Sequence, residues 1–233
     1  LDTKSGKPVG VINDYVDFAT DCLENQNLEF ELVKFDSQDE ELQALKDGKI
    51  DMIFHFSQTP YAAEDNDFIL SNTVLTTNMA AVTAEDYFDE NAQNSVAVEK
   101  GNLLLKWYLA YNYPGWKVVE YDTSRQAEKA VRNKEADCLI AETGQLTKYI
   151  EDSKLHSVFL TQPGDAAFAV RRENTLLLSV LNKTLKTMPS SMLTGSLSMY
   201  ENTLQEVTLT DFIKEHFLVF FVIILFILML ILG

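Results

Sequence analysis

Positive charge is scarce in this chain: 19 Lys and Arg stand against 35 Asp and Glu, leaving a net charge of −16. Such a balance repels nucleic acid and anionic lipid headgroups, so neither is expected as a partner. Cysteine is scarcer still. Cys22 and Cys138 lie far apart, each beside apolar residues, a setting for two buried free thiols rather than a disulfide. The three histidines, His55, His156 and His216, do not cluster, and no metal-ligand spacing occurs. A Gly-rich phosphate loop and a G-x-S-x-G nucleophile turn are both missing. No cofactor, metal or catalytic residue is therefore expected. What is present suffices for one large domain or two modest ones: 233 residues, 46% apolar and an ordinary 23% charged.

The sequence changes character at its end. From Phe217 to Gly233, "FLVFFVIILFILMLILG" holds no charge and no hydrogen-bonding side chain. About 17 apolar residues is the lower limit for a helix crossing the hydrocarbon core. An ordinary buried helix is amphipathic, whereas this segment is apolar all round. It reads as a transmembrane helix, and its place at the C-terminal end rules out a signal peptide. The acidic, lysine-poor residues before it suit the non-cytoplasmic side, because basic residues prefer the cytoplasmic flank.

Before that segment, strand and helix patterns alternate. Ile12, Tyr15, Val16, Ala19 and Leu23 recur at helical spacing. "LEFELVKFD" alternates like a half-buried strand with Leu28, Phe30 and Leu32 on one face. "SQDEELQALKDG" is a helix with Ser37 as N-cap and Gly48 as stop, followed by a short buried strand, "IDMIF". A long extended segment, 68–86, then leads into a second series: strand "SVAVEK", helix "NLLLKWYLAYNY", strand "WKVVEYD", helix "TSRQAEKAVRNK" and strand "ADCLIAE". Helix "GQLTKYIED", extended "VFLTQPGDAAFAVRR" and helix "NTLLLSVLNKTLKTM" follow. Alternation with short connections predicts an α/β fold with largely parallel strands, and in such folds ligands bind beyond the strands' carboxyl ends. The aromatics of "WYLAYNYPGW" read as core around Trp107, Tyr111 and Trp116.

"ALKDGKIDMIF" at 44–54 and "AVRNKEADCLI" at 130–140 superpose without a gap, 86 residues apart. Two α/β units of like order, joined by extended crossings near 74–84 and 158–170, describe two lobes with a hinge and a cleft between them. The plainer alternative is two ordinary βα units. Asp51 and Asp137 occupy equivalent places in the repeat, so they belong to different lobes and read as solvated turn residues, not a catalytic pair.

The segments "GKPVGVINDYVDFA", "LQALKDGKIDMIF", "FILSNTVL", "VAVEKGN", "YDTSRQAEKAVRNKEADCLIAE" and "FAVRRENTLLLSVLNKTL" together resemble the bacterial extracellular solute-binding proteins of family 3, over nearly all of 5–200. The resemblance implies a two-lobed, periplasmic-binding-protein-like (type II, "Venus flytrap") α/β fold with two hinge crossings. The family usually begins with a further strand carrying a Pro-Phe cleft segment; nothing like it precedes Gly6, so the sequence reads as cut short there. The expected division is 1–78 as the first part of lobe one, 79–164 as lobe two, and 165–205 as the return to lobe one. A juxtamembrane linker, 206–216, and the transmembrane helix, 217–233, follow.

The resemblance also implies ligand-binding positions. Phe56, Ser57 and Gln58 occupy the family's small polar segment, and Phe56 with Tyr61 offers an apolar wall, although Phe56 equally suits a core. The arginine that grips an amino-acid carboxylate would fall near Ala62 or Ala63, and no arginine occurs before Arg125. Lys100, Gly101 and Asn102 match the start of a lobe-two helix whose free N–H groups can hold an oxygen; a plain N-cap at Asn102 is the alternative. Glu142 falls where the family holds a ligand amino group, a solvated loop glutamate being the rival. Lys100 and Arg125 would supply positive charge, and His55 reads as a surface or structural histidine.

A flytrap domain tethered closely to a membrane helix is similar to sensor receptors that precede a histidine kinase or diguanylate cyclase. The expectation is an extracellular, non-enzymatic sensing domain for an amino acid, amine or similar polar solute, anchored in the lipid bilayer through 217–233. Dimers suit a single-span receptor, though no residue demonstrates one. The alternative is a membrane-tethered binding component of an ABC-type amino-acid or amine transporter; an enzyme on the same fold ranks below both.

Overall fold

In the computed structural model, the structure describes residues 11–23, 29–150, 154–189 and 191–193. The run 217–233 lies outside them; among the described residues no helix is long and apolar enough to cross a membrane.

Helix α1, Val11–Cys22, buries Val11, Tyr15 and Ala19, one residue per turn. Helix α2, Gln38–Lys46, starts as its sequence dictates: the Ser37 hydroxyl accepts from the Glu40 N–H, and acidic residues fill the first turn. It ends at Gly48, whose φ of 71° costs little only without a Cβ. Strand β1, Met52–Ser57, and the short helix α3, Pro60–Asp65, follow. The extended run beyond them divides into β2, Phe68–Leu70, β3, Leu75–Thr77, and β4, Met79–Thr83.

The second series comprises β5, Ser95–Glu99; α4, Leu103–Asn112; β6, Lys117–Tyr121; α5, Ser124–Arg132; and β7, Leu139–Glu142. A 3-10 turn, Thr143–Gln145, leads to α6, Thr147–Ile150, then β8, His156–Phe159, β9, Gly164–Arg171, and α7, Thr175–Thr187.

Strand β9 organises the first lobe. It runs between β1 and β2 in the order β1-β9-β2 and also pairs with β3, every pairing antiparallel. Residues Ala166 to Val170 along it are buried. Tyr15 and Phe54 pack on Phe168, ring centroids 4.6 Å and 5.2 Å away. The second lobe holds β7-β4-β8 and the parallel pair β5-β6, with a parallel bridge from Val96 to Cys138. Its core is built from Val96, Val98, Tyr108, Leu109, Trp116 and Cys138. Its second layer is Ala127, Val131 and Leu139.

Three expectations are corrected. The strands are not largely parallel: the crossings themselves become strands β4 and β9, and they run against the βα units on which they return. Leu28 lies outside the described residues; residues 29–35 form no strand, Leu32 and Val33 are about half exposed, and Phe30 packs edge-on to Tyr15. Cys138 is buried and its thiol is pushed up by burial and by Asp137, but Cys22 is exposed, lying past Ala19, the last buried residue of α1.

Two outcomes follow for stability. Phe168→Ala should cost about 3–5 kcal/mol in urea unfolding, against at most roughly 0.5 kcal/mol for Leu176→Ala on the exposed face of α7. Burial pushes the Tyr15 phenol up to about 12, and the nearby Thr184 hydroxyl, too poorly placed for a hydrogen bond, offsets only part of that. An unfolded tyrosine ionises near pH 10. Stability is therefore full below pH 10 and is lost as pH rises towards 12, where the unfolded chain has released a proton that the folded chain keeps. Tyr15→Phe should flatten that decline, measured as unfolding free energy between pH 9 and 12.

Candidate functional site

A cavity of about 250 Å³ opens between the lobes. Lobe one contributes Gln38, His55, Ser57, Thr77 and Asp165, and lobe two contributes Asn102, Tyr108 and Glu142 among others. Met79 at the crossing forms part of the wall, and Gly164 lies opposite it: a Cβ there would meet the Met79 sulfur at 2.9 Å. The atoms in the way are side-chain atoms of Met79 and Thr77, so a larger residue at 164 would displace part of the cavity wall.

Several polar groups around the cavity are engaged by their neighbours. The Thr76 hydroxyl donates to Asp165 Oδ1 (2.6 Å) and Thr77 donates to the Gly164 carbonyl (3.3 Å), tying the two crossings together. Tyr108 donates to the Gln162 carbonyl at 2.6 Å, and burial pushes its phenol far up, so it stays protonated. His55 sits at a bulge in β1 with φ of 69°, a conformation uncommon for a residue with a Cβ. From there its Nε2 lies 3.9 Å from Glu142 Oε1, so a histidine of lobe one faces a carboxylate of lobe two.

The start of α4 is also contacted across the cleft. The N–H groups of Leu103 and Leu104 donate to the side-chain oxygen of Gln38, at 2.8 and 3.4 Å. The Leu105 N–H donates to Asn102 Oδ1, the N-cap of the same helix. Gly101, with φ of 79°, makes the turn that aims the helix at lobe one. Beside this contact, Leu103, Leu104 and Trp107 of α4 pack on a cluster of lobe one that includes Leu42, Leu45, Ile53 and Phe56. The Trp107 ring lies 5.1 Å from Phe56, and Tyr111 lies 6.0 Å from Tyr61. Positions 104, 107 and 111 follow one face of a helix. Burial on lobe one also raises the Glu41 carboxyl above its ordinary range.

The residues expected at the site therefore divide. Ser57, Asn102 and Glu142 line the cavity. Phe56 is fully buried in the lobe-one core beneath Trp107, and Tyr61 is two-thirds exposed at the rim. Gln58 accepts from the Thr73 hydroxyl at 2.5 Å. Lys100 is tied to Asp122 at 2.8 Å, a contact that raises the lysine and lowers the aspartic acid. Arg125 lies among Thr123, Glu128 and Arg132 on the outer face of α5. Asp51 is exposed beside Arg171, while Asp137 accepts from the N–H and hydroxyl of Ser95, so the two carboxylates are turn residues of separate lobes. Trp107 and Tyr111 do not share a core with Trp116: they face lobe one, and Trp116 packs with Tyr113 and Phe88. Sequence reasoning missed Gln38, Thr77, Tyr108 and Asp165, and set His55 aside; none stands in a recognisable motif.

The model of the bacterial extracellular solute-binding proteins, family 3, matches residues 1–198. The chain belongs to this family. Among curated proteins it is similar to the virulence sensor protein BvgS of Bordetella pertussis, 26% identical over 194 residues that cover 75% of this chain and 15% of BvgS. The BvgS of Bordetella bronchiseptica is 25% identical over 191 residues, with the same coverage. The chain thus spans about 15% of the length of these relatives. Among solved structures, the periplasmic VFT2 domain of Bordetella pertussis BvgS superposes with a TM-score of 0.59 at 24% identity, covering 82% of this chain and 83% of that one. The amino acid ABC transporter substrate-binding protein AbpA of Streptococcus pneumoniae, bound to L-arginine, gives 0.61 at 18%, covering 83% and 85%. The fold is the two-lobed Venus flytrap.

The face of α4 that touches lobe one should hold the lobes together. Trp107→Ala should cost about 2 kcal/mol, since a half-buried ring leaves a partly filled gap. It should also lengthen the distance between spin labels at Glu64 and Lys129, introduced after Cys22→Ser and read by pulsed electron resonance.

Proposed function

We propose that this chain is the extracellular sensing portion of a bacterial membrane receptor, and that a small polar solute bound between its lobes shifts the balance between open and closed arrangements. The observation that carries this reading is a cavity lined from both lobes, in a chain similar to the sensor protein BvgS. A solute touching Glu142 on one lobe and Asp165 on the other holds both together, and only unequal affinity for the two arrangements can move the equilibrium. The apolar run 217–233 anchors the domain and passes the movement across the bilayer to a histidine kinase or diguanylate cyclase type of output. The neighbouring solved structures bound to L-arginine and to L-glutamate support solutes of amino-acid size.

The 233-residue chain in detergent micelles provides the test. A panel of amino acids, amines, sugars and short peptides is screened by thermal unfolding, and each stabilising solute is then measured with the Glu64–Lys129 label pair. A solute at a hundred times its Kd adds about 2.7 kcal/mol, a rise of roughly 5–11 °C for a domain of this size. The expected result is such a rise with a narrower distance distribution. Binding that leaves the distance unchanged, or no rise with any solute, rejects the reading.

A further inference from the structure

The cavity has an unusual balance of groups. It carries a carboxylate from each lobe, Glu142 and Asp165, and none of its lining residues is Lys or Arg. A ligand carboxylate in such a place would look to the first N–H groups of α4. Those donors are already used: Leu103 and Leu104 donate to Gln38, and Leu105 donates to Asn102. The hydroxyl protons of Thr77 and Tyr108 are likewise given to backbone carbonyls. An incoming anion would face two carboxylates with no Lys or Arg and no free helix donor, the one histidine of the lining, His55, already facing Glu142 at 3.9 Å, and would lose its hydration for little return.

We propose that Gln38 fills the anion seat of this cleft with its own amide oxygen, and that the cavity consequently takes cationic amines or guanidines that lack a carboxylate. This rests on the reading of the cavity as a solute-sensing site and names the class of solute. A dication suits the two carboxylates, one on each lobe, and the chain's net charge of −16 draws cations towards it. Gln38 is the specificity-determining residue. It comes from lobe one and caps a helix of lobe two, so it is in place only when the lobes are together.

Agmatine and L-arginine are the probes, because they share a guanidinium tail and differ by one carboxylate. Titration calorimetry on the 233-residue chain in micelles should give agmatine at least about tenfold tighter than arginine. Gln38→Ala frees two helix donors, and arginine should then gain roughly tenfold or more while agmatine changes less than about threefold. Gln38→Glu returns an acceptor to the same donors and should keep arginine excluded, which separates occupancy of the seat from damage to the fold. Glu142→Gln should weaken agmatine about tenfold. Arginine binding as tightly as agmatine to the unaltered chain, or an unchanged ratio in Gln38→Ala, overturns the proposal. So does failure of agmatine to bind at all. If a different solute, such as a neutral sugar or an amino acid, stabilises the chain and alters the lobe distance, the sensing role stands and the assignment of solute class falls.

Discussion

The antiparallel return of β9 is the constraint on which the rest of the structure depends. Its residues Ala166 to Val170 are buried in the middle of the lobe-one sheet, with Tyr15 and Phe54 packed at a tilt on Phe168. The same strand, at its beginning, pairs Ala166, Asp165 and Gly164 with Leu75, Thr76 and Thr77 of the outgoing crossing. One strand therefore completes the lobe-one core and forms half of the connection to lobe two. Its buried end has no freedom to shift, because interiors are close-packed and any displacement opens gaps. Its other end, Gly164 and Asp165, is only partly buried, so packing resists a change of direction least at that point.

Much of this was readable where a local rule acts alone. Ser37, three residues ahead of Glu40, caps α2, and the glycine at 48 stops it, because each effect is settled within one helical turn. The duplicated segments around Asp51 and Asp137 marked the two units for the same reason: each ends a helix and begins a strand. Strand direction was not readable in this way, since it is decided by a partner more than a hundred residues away, as in Met52 with Val170. The alternation of 29–35 promised a strand, but alternation creates only a face, and a strand also needs an edge to pair with.

The candidate site was legible only in its family positions. Ser57, Asn102 and Glu142 follow recognisable segments and reach the cavity. Gln38 follows an N-cap like any first-turn residue, and Asp165 follows a proline and a glycine like any loop acid. Their meaning arises from the lobes' approach, which brings Gln38 to a helix that begins 65 residues later. His55 was set aside for a similar reason. Its side chain reaches Glu142 only through the bulge and positive φ in β1, and neither is written in the residue type.

The contact between α4 and lobe one bears on how much a solute in the cleft must contribute to holding the lobes together. In an empty cleft with wet, polar faces, a ligand must supply nearly all of the attraction between lobes. Here Leu103, Leu104 and Trp107 already bury apolar surface against Phe56 and its neighbours, and Gln38 satisfies two helix donors. These interactions favour contact whatever occupies the cavity. A ligand can then act only through the difference in its affinity for the two arrangements, and moving an equilibrium from 1:99 to 99:1 takes about 5.5 kcal/mol of that difference. Glu142 and Asp165 line the same cavity from the two lobes and, as like charges, add no attraction of their own between them. If the solute is a cation, as proposed, it supplies the charge that this cavity lacks, while the apolar contact of α4 is supplied by the protein itself. Charge and burial then come from different partners, and only the first depends on which solute is bound.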